Sequence, residues 1–297
     1  MLAKLLRFTI AMQMAFGAAL GYWLSARQNT ATALAVVLLA AIAMPPLANL
    51  LTVLYSFMRS RAAEPLALWF KAMRGECLAN VQFFLLRQPW AFAPPTLQAA
   101  ASASPQRIPV LLVHGFACNH RVWDALAPVL LQQGHSLLAV NLEPLFTSID
   151  DYAPQLERAV QSLRQQTGQE QIALLGHSMG GLAIRAWMRR YGSQHAARAI
   201  TLGTPHVGTQ AHALVNTPNG LQMAWRSKWL AELAASESDR TRSLFRIALT
   251  PQDNIVHPQR AQTLAGVVPT VFEGLGHLQL CSAPAVSRWV CAELALL

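Results

Sequence analysis

The chain has 297 residues, of which 53% are hydrophobic and 12% are charged, and its formal net charge at pH 7 is +9. This length accommodates one α/β domain with an additional segment. The basic residues form no stripe with interleaved aromatic residues and match no DNA- or RNA-binding module, which argues against a nucleic-acid partner. An anionic membrane surface is the simpler partner, because each basic residue near it contributes about 1 kcal/mol.

Two uncharged stretches lie near the beginning of the chain. Residues 8–24 are marginal for a bilayer span, because a transmembrane helix needs about 20 predominantly apolar residues. Residues 31–58 are long enough to cross with a tilt or a kink near Pro45 and Pro46. The short polar segment between the two stretches suits a hairpin loop. We therefore expect residues 1–60 to form a transmembrane helical hairpin.

The basic residues around these stretches predict their orientation. Lys4 and Arg7 precede the first stretch, Arg59 and Arg61 follow the second, and the intervening loop has only Arg27. The positive-inside rule then places both ends on the cytoplasmic side of the membrane. For a bacterial inner membrane, the remainder of the chain would be cytoplasmic.

A second interpretation treats residues 1–26 as a signal peptide. Leu24-Ser25-Ala26 could end at a small-residue cleavage site. The following domain would then be exported, and residues 31–58 would be an anchor or a helix docked on that domain. The sequence leaves both interpretations open.

Residues 66–90 combine apolar positions at helical spacing with several basic residues. This pattern predicts an amphipathic helix, which either lies at the headgroup interface or packs on the following domain. Residues 93–106, which contain Pro94-Pro95 and a run of alanines and serines, have no periodic apolar face. We assign residues 61–107 to an amphipathic helix and a linker.

The most informative motif comes after an apolar strand pattern at residues 171–175. Gly176-His177-Ser178-Met179-Gly180 fits the G-x-S-x-G nucleophile elbow in its strand–turn–helix context. A serine becomes a useful nucleophile only where a base can take its proton and backbone donors can hold an oxyanion. The elbow geometry predicts that the side chain of His177 points away from the pocket.

Strand and helix patterns alternate from residue 108 onwards, which predicts a parallel sheet with helices on both faces. The first strand, residues 108–113, runs directly into His114-Gly115-Phe116. We expect His114 to brace this loop through a hydrogen bond. Strands are also predicted at residues 245–250 and 267–272, and a helix at residues 121–132.

Two titratable residues follow Ser178 at the ends of predicted strands. Asp253 comes after residues 245–250 and His277 after residues 267–272, where open α/β sheets place their sites. Asp239 is the alternative to Asp253 as the acidic residue of such a site. It lies in a polar run that is more typical of a solvated helix face.

Residues 108–297 resemble the lipase and esterase branch of the α/β-hydrolases. The segments that carry the resemblance are VLLVHGF (110–116), GHSMGG (176–181), LGTPHVGT (202–209), DNIV (253–256) and GLGHL (274–278). The resemblance implies an α/β-hydrolase fold and a triad of Ser178 as nucleophile, His277 as general base and Asp253 as orienting acid. It also implies that the backbone amides of Phe116 and Met179 form the oxyanion hole.

A long insertion at about residues 206–243 is the segment in which this fold usually carries a cap. Its apolar residues include Leu214, Trp225, Trp229 and Leu230. Because a loop of this length is usually functional, we expect a partly helical lid over an acyl-binding cleft. The predicted function is a membrane-associated hydrolase of lipid-like acyl esters. The alternatives are an acyltransferase or thioesterase with the same triad, and a non-catalytic membrane scaffold.

No cofactor and no metal are expected. Some secreted bacterial lipases have a calcium-binding aspartate shortly after the catalytic histidine, whereas Leu-Gln-Leu-Cys follows His277 here. The other histidines and the four cysteines show no metal-ligand spacing. Cys281 and Cys291 are close enough in sequence to form a disulfide, and free buried thiols are equally compatible with the sequence. The oligomeric state is left open.

Overall fold

A parallel sheet forms the centre of the C-terminal two thirds of the chain. The computed structural model describes residues 1–61, 65–100, 107–211 and 216–297. Within these ranges the sheet has six strands: β1 (Val110–Val113), β2 (Leu137–Val140), β3 (Ile172–His177), β4 (Ala196–Leu202), β5 (Phe245–Leu249) and β6 (Thr270–Val271). Their spatial order is β2-β1-β3-β4-β5-β6, and every neighbouring pair is parallel. All the strands therefore end at the same edge.

Helices cover both faces of this sheet. The helices that follow β1 in the chain are α4 (Ala127–Gln132), α5 (Ala153–Thr167), α6 (Met179–Tyr191), α7 (Pro218–Gln222), α8 (Lys228–Ala235), α9 (Asp239–Ser243) and α10 (Pro284–Ala295). Alternate strand residues point to opposite faces. Leu111 accordingly packs in the core layer that contains α5 and α6, and Leu112 in the layer that contains α4 and α10. The predicted α/β-hydrolase fold is confirmed.

Several predicted elements are shorter than the sequence patterns indicate. The strand expected at residues 267–272 contains only Thr270–Val271. The helix expected at residues 121–132 is divided into a 3₁₀ turn, His120–Trp123, and α4. Pro128 lies in the first turn of α4, where its missing N–H breaks no intrahelical hydrogen bond.

Three long helices precede the sheet: α1 (Leu2–Ser25), α2 (Thr30–Ser60) and α3 (Leu66–Val81). Asn29 caps α2 by accepting a hydrogen bond from the Thr32 amide at 3.0 Å. In the described ranges, α1 and α2 are the helices whose length and apolar composition would allow a membrane crossing. The division of the chain at residues 60 and 107 stays a prediction.

Two glycines determine how closely α1 approaches α2. A Cβ added to Gly17 would overlap the carbonyl oxygen of Ala40, and one added to Gly21 would lie 2.8 Å from the Cα of Val37. Small residues four positions apart allow such close backbone packing between apolar helices. This Gly-x-x-x-Gly pattern is visible in the sequence, but we did not predict its role.

The inner face of α3 packs on the sheet domain. Glu76 and Ala79 are buried there, as is Phe83 in the π-helical turn Gln82–Arg87 that follows. Ala72 is buried against Val53 and Phe57 of α2. The opposite face of α3 is exposed and includes Leu78. Of the two placements left open by the sequence, packing on the domain is the one observed for the inner face.

We expect Gly17→Leu to weaken the packing of α1 against α2, because the new side chain would meet the Ala40 backbone. Overpacking of this kind costs about 1–3 kcal/mol. Ala19→Leu is the matched control, since Ala19 is exposed on the same helix. Thermal unfolding of the full chain in detergent should show a lower midpoint for Gly17→Leu alone. Equal midpoints for the two variants would contradict the proposed contact.

Candidate functional site

Ser178 occupies a strained turn between β3 and α6. Its backbone dihedrals are φ 54° and ψ −127°, a conformation that costs a non-glycine residue about 1–3 kcal/mol. The Ser178 amide donates to the Leu202 carbonyl at 2.8 Å, and the Ser178 carbonyl accepts from the Thr204 hydroxyl at 2.9 Å. Gly180 has no Cβ and so lets α6 approach the Val113 carbonyl. The turn is therefore held by hydrogen bonds and close packing on both sides.

Asp253 and His277 form a hydrogen bond between the loops that follow β5 and β6. Nδ1 of His277 lies 2.8 Å from Oδ2 of Asp253. The other carboxylate oxygen, Oδ1, accepts hydrogen bonds from the amides of Ile255 at 2.8 Å and Val256 at 2.7 Å. Because a carboxylate accepts, Nδ1 of His277 carries the proton and Nε2 is the basic nitrogen.

The electrostatic surroundings favour the protonated form of His277. Burial lowers its pKa, but the charge and hydrogen bond of Asp253, together with the charge of Glu76, outweigh burial and raise the pKa above its ordinary value. Asp239, the competing acid, lies in α9 with a side chain that is 98% exposed and paired with Arg242. The structure therefore brings Asp253, and not Asp239, to His277.

The two predicted oxyanion donors belong to segments that adjoin Ser178. Met179 is the first residue of α6, so its amide has no intrahelical acceptor. Phe116 follows Gly115, whose backbone is so close to Ser178 that an added Cβ would lie 2.7 Å from the serine Cβ. The role of both amides stays a prediction.

His114 supports the loop before Phe116. Its Nε2 accepts a hydrogen bond from the Leu142 amide at 2.9 Å, and Nδ1 therefore donates to the Gly115 carbonyl at 2.8 Å. Burial lowers the pKa of His114 to about 4, so the ring is neutral at pH 7. His114 thus braces the loop as expected.

His177 contradicts the expectation that its side chain points away from the pocket. The ring lines the same cavity as Ser178 and lies 4.6 Å from the ring of His277, between centroids. Strand alternation explains this placement, because His177 faces the same side of the sheet as Leu175, the side on which Leu278 packs. Burial, and then the charge of His277, lower the pKa of His177 well below its ordinary value.

A cavity of about 340 Å³ contains Ser178 and His277. Its volume lies in the range of small-molecule sites, which is about 300–1,000 Å³. Part of the lining comes from the strand-end loops and includes Phe116, Cys118, His177, Asn254, Val256 and Leu278. Six further lining residues come from the N-terminal helices and the π-helical turn: Thr52, Val53, Ser56, Glu76, Asn80 and Phe84.

The insertion at residues 206–243 contributes less to this cavity than the sequence suggests. Thr209 and Met223 line it, whereas Leu230 and Leu233 are buried in the core layer beside α6. Residues 212–215, including the predicted lid residue Leu214, lie outside the described residues.

Hydrogen bonds link α2 directly to the loop of Asp253 and, through Asn254, to His277. The amide nitrogen of Asn254, Nδ2, donates to the Ser56 hydroxyl at 2.8 Å, and its Oδ1 accepts from the His277 backbone amide at 3.1 Å. Gln259 donates to the Ser60 carbonyl at 2.8 Å. Sequence reasoning missed Ser56 and Asn254, although Asn254 lies within the DNIV segment.

The described part of the chain contains no group of three histidine, cysteine, aspartate or glutamate residues arranged to hold a metal ion. The four cysteines are free thiols, and Cys281 and Cys291 are therefore not bridged. The expectation of no cofactor and no calcium stays a prediction.

Comparison with protein families and known proteins points to one fold. A family model described as alpha/beta hydrolase fold matches residues 108–258, about half of the chain. A triacylglycerol lipase of Burkholderia plantarii is 31% identical over 162 residues, which cover 52% of this chain and 43% of the relative. A triacylglycerol lipase of Pseudarthrobacter phenanthrenivorans is 33% identical over 113 residues, which cover 35% of each chain. These matches span less than half the length of the curated relatives.

Solved structures of lipases share the fold. The mature lipase BlEst2 of Bacillus licheniformis superposes with a TM-score of 0.58 and 14% identity, over 68% of this chain and 99% of that chain. Lipase B of Aspergillus fumigatus gives a TM-score of 0.56 and 17% identity, over 67% of this chain and 56% of that chain. At these identities the likeness shows the fold alone.

Proposed function

We propose, from the premise that this chain belongs to the α/β-hydrolase family, that it hydrolyses carboxylic esters of lipid-like acyl chains at a membrane. One observation carries the proposal: Ser178 in its strained turn shares a cavity with His277, and His277 is hydrogen-bonded to Asp253. The names of the matched relatives, triacylglycerol lipases, support the same class of reaction.

The proposed reaction consists of two acyl transfers. The hydroxyl oxygen of Ser178 attacks the ester carbonyl while Nε2 of His277 takes the hydroxyl proton. The amides of Phe116 and Met179 donate to the oxyanion of the tetrahedral intermediate. His277 returns the proton to the departing alcohol, and a water molecule then releases the acid by the same steps. Asp253 keeps the proton of His277 on Nδ1 and stabilises the imidazolium.

The cavity lining supports an acyl chain as the group that is bound. Val53, Phe84, Met223, Val256 and Leu278 contribute apolar side chains around the serine. Burial of apolar surface stabilises binding by roughly 25 cal/mol per Å². A hydrocarbon chain attached to the scissile ester therefore fits this lining better than a polar group does.

The outer surfaces of α1 and α2 support the membrane part of the proposal. Phe8, Phe16, Trp23, Leu39 and Ile42 are all exposed by at least 63%. An apolar surface of this extent is unfavourable in water and marks a protein or membrane contact. With α1 packed on α2 through Gly17 and Gly21, the hairpin is favoured over a cleaved signal peptide, which would remove α1.

The length of α2 allows it to serve both the membrane and the cavity. Its 31 residues extend over about 46 Å at about 1.5 Å per residue, whereas the hydrocarbon core is about 30 Å thick. The C-terminal turns, which carry Thr52, Val53 and Ser56, can thus project beyond the hydrocarbon core. The basic residues at this end support contact with anionic headgroups and a cytoplasmic hydrolase domain.

We expect Ser178→Ala to abolish ester hydrolysis, because removing the nucleophile of a serine hydrolase costs about 10⁶ in turnover. The full chain in detergent would be assayed with a soluble short-chain ester and labelled with a fluorophosphonate. Ser243→Ala is the control, since Ser243 is exposed in α9. Label should appear on Ser178 in the wild type and the control. Retained hydrolysis in Ser178→Ala would overturn the proposed function.

A substitution in α2 tests whether the cavity binds a long acyl chain. Thr52 lines the cavity and is exposed at its surface, so Thr52→Phe should narrow the cavity without disturbing the core. The ratio of kcat/KM for a long-chain ester to that for a short-chain ester should fall about tenfold. Leu51→Phe is the control, because the Leu51 side chain is 57% exposed and lies outside the lining. Equal ratios in both variants would contradict the assignment.

A further inference from the structure

The loop that carries His277 is held by a buried glutamate of α3. Glu76 is 1% exposed. Its Oε1 accepts a hydrogen bond from the Leu278 amide at 2.9 Å, and its Oε2 accepts from the same amide at 3.0 Å and from the Gln279 amide at 3.2 Å. The two amides immediately follow His277 in the chain. Glu76 thus fixes the backbone on the C-terminal side of the histidine.

Close packing reinforces these hydrogen bonds on both sides of His277. A Cβ added to Gly276 would overlap the carboxylate of Glu76, and one added to Gly75 would overlap the side-chain amide of Gln279. The two glycines therefore let α3 and the loop approach closely without displacing these two side chains. The Asn254 amide, which is itself bonded to Ser56 of α2, holds the His277 backbone from the other side.

The carboxylate of Glu76 is close enough to His277 to influence its charge. Burial raises the pKa of Glu76 to about 7, although the Leu278 amide, the charge of His277 and the Gln279 amide each lower this pKa. The titratable groups that interact electrostatically with Glu76 or with His277 are Cys77 of α3, His177 of β3, Asp253 and Cys281. Within the described ranges, no lysine or arginine pairs with Glu76.

We propose that Glu76 is a positioning residue for the hydrolytic reaction: it fixes the loop that presents His277 to Ser178, and its negative charge stabilises the imidazolium formed when Ser178 loses its proton. The inference rests on the proposed roles of Ser178 and His277. It makes the helix that follows the apolar hairpin a working part of the active site.

The pH dependence of the Glu76→Gln variant tests this role. His277 must be neutral to accept a proton, so activity rises as pH passes its pKa. Because the pKa of Glu76 is about 7, its carboxyl group is ionised in only part of the molecules near neutral pH. In that fraction the negative charge raises the pKa of His277, so Glu76→Gln should move the acid limb of kcat/KM to lower pH. At pH values above the acid limb, kcat/KM should also fall by up to about 10²-fold, the loss that a misplaced catalytic group causes. The full chain in detergent would be assayed with a short-chain ester.

Glu170→Gln is the matched control, because the Glu170 side chain is 88% exposed and pairs with Arg164 away from the cavity. Its acid limb should coincide with that of the wild type. If the acid limb of Glu76→Gln also lies at the wild-type pH, the proposal is overturned. Glu76 would then hold the loop without its charge affecting the pKa of His277.

Glu76→Asp provides a second test that does not depend on the folding of Glu76→Gln. Aspartate keeps the charge but has a shorter side chain, so the acid limb should stay at the wild-type pH while kcat/KM falls. Unchanged kcat/KM would overturn the positioning role. Fluorophosphonate labelling separates the two proposals. If Ser178 is not labelled in the wild type, the proposed function is overturned. If Ser178 is labelled but neither Glu76 variant changes kcat/KM or its pH dependence, only the role of Glu76 is overturned.

Discussion

The hydrogen bond between Asp253 and His277 joins the loops that follow the neighbouring strands β5 and β6, and further hydrogen bonds hold both loops in place. The amides of Ile255 and Val256 hold the carboxylate. The backbone amides of His277 and Leu278 donate to Asn254 and Glu76, which connect this loop to α2 and α3. Ser178, in contrast, is held by the sheet itself through β3 and α6. The serine of the proposed triad is therefore supported by the centre of the sheet. The histidine is supported by its neighbouring loop after β5 and, in addition, by the N-terminal helices.

This arrangement connects the N-terminal helices to the proposed triad. Ser56 and Glu76 are polar groups in largely apolar helices, and leaving their partners unsatisfied in a buried place would cost about 1–3 kcal/mol each. A shift of α2 or α3 would break these hydrogen bonds and open the cavity at the same time, because both helices also line it. A hairpin that anchors the protein in a bilayer would thereby also complete the active site.

The sequence predicted the fold and the residues at the strand ends because both depend on local patterns. Parallel strands end at one edge, so Ser178, Asp253 and His277 were expected to meet there, and the structure places Asp253 and His277 in contact. Glu76 is the only acidic residue between residues 66 and 90, but its partner Leu278 is 202 positions away. The spacing of apolar residues along the sequence does not indicate a contact between residues so far apart. The placement of His177 was predicted wrongly because the prediction considered the elbow alone and not the packing of the loop after His277.

The most direct test of this account determines which segment of the protein surrounds the bound acyl group. A long-chain alkyl fluorophosphonate with a diazirine at the end of its alkyl group would first react with Ser178 in the 297-residue chain. Irradiation would then crosslink the end of the alkyl group to the nearest residue of the protein, which peptide mass spectrometry identifies. We predict adducts between residues 52 and 84, in the part of the cavity lined by α2, α3 and the π-helical turn. Adducts confined to residues 216–243 of the insertion would contradict an active site completed by the N-terminal helices.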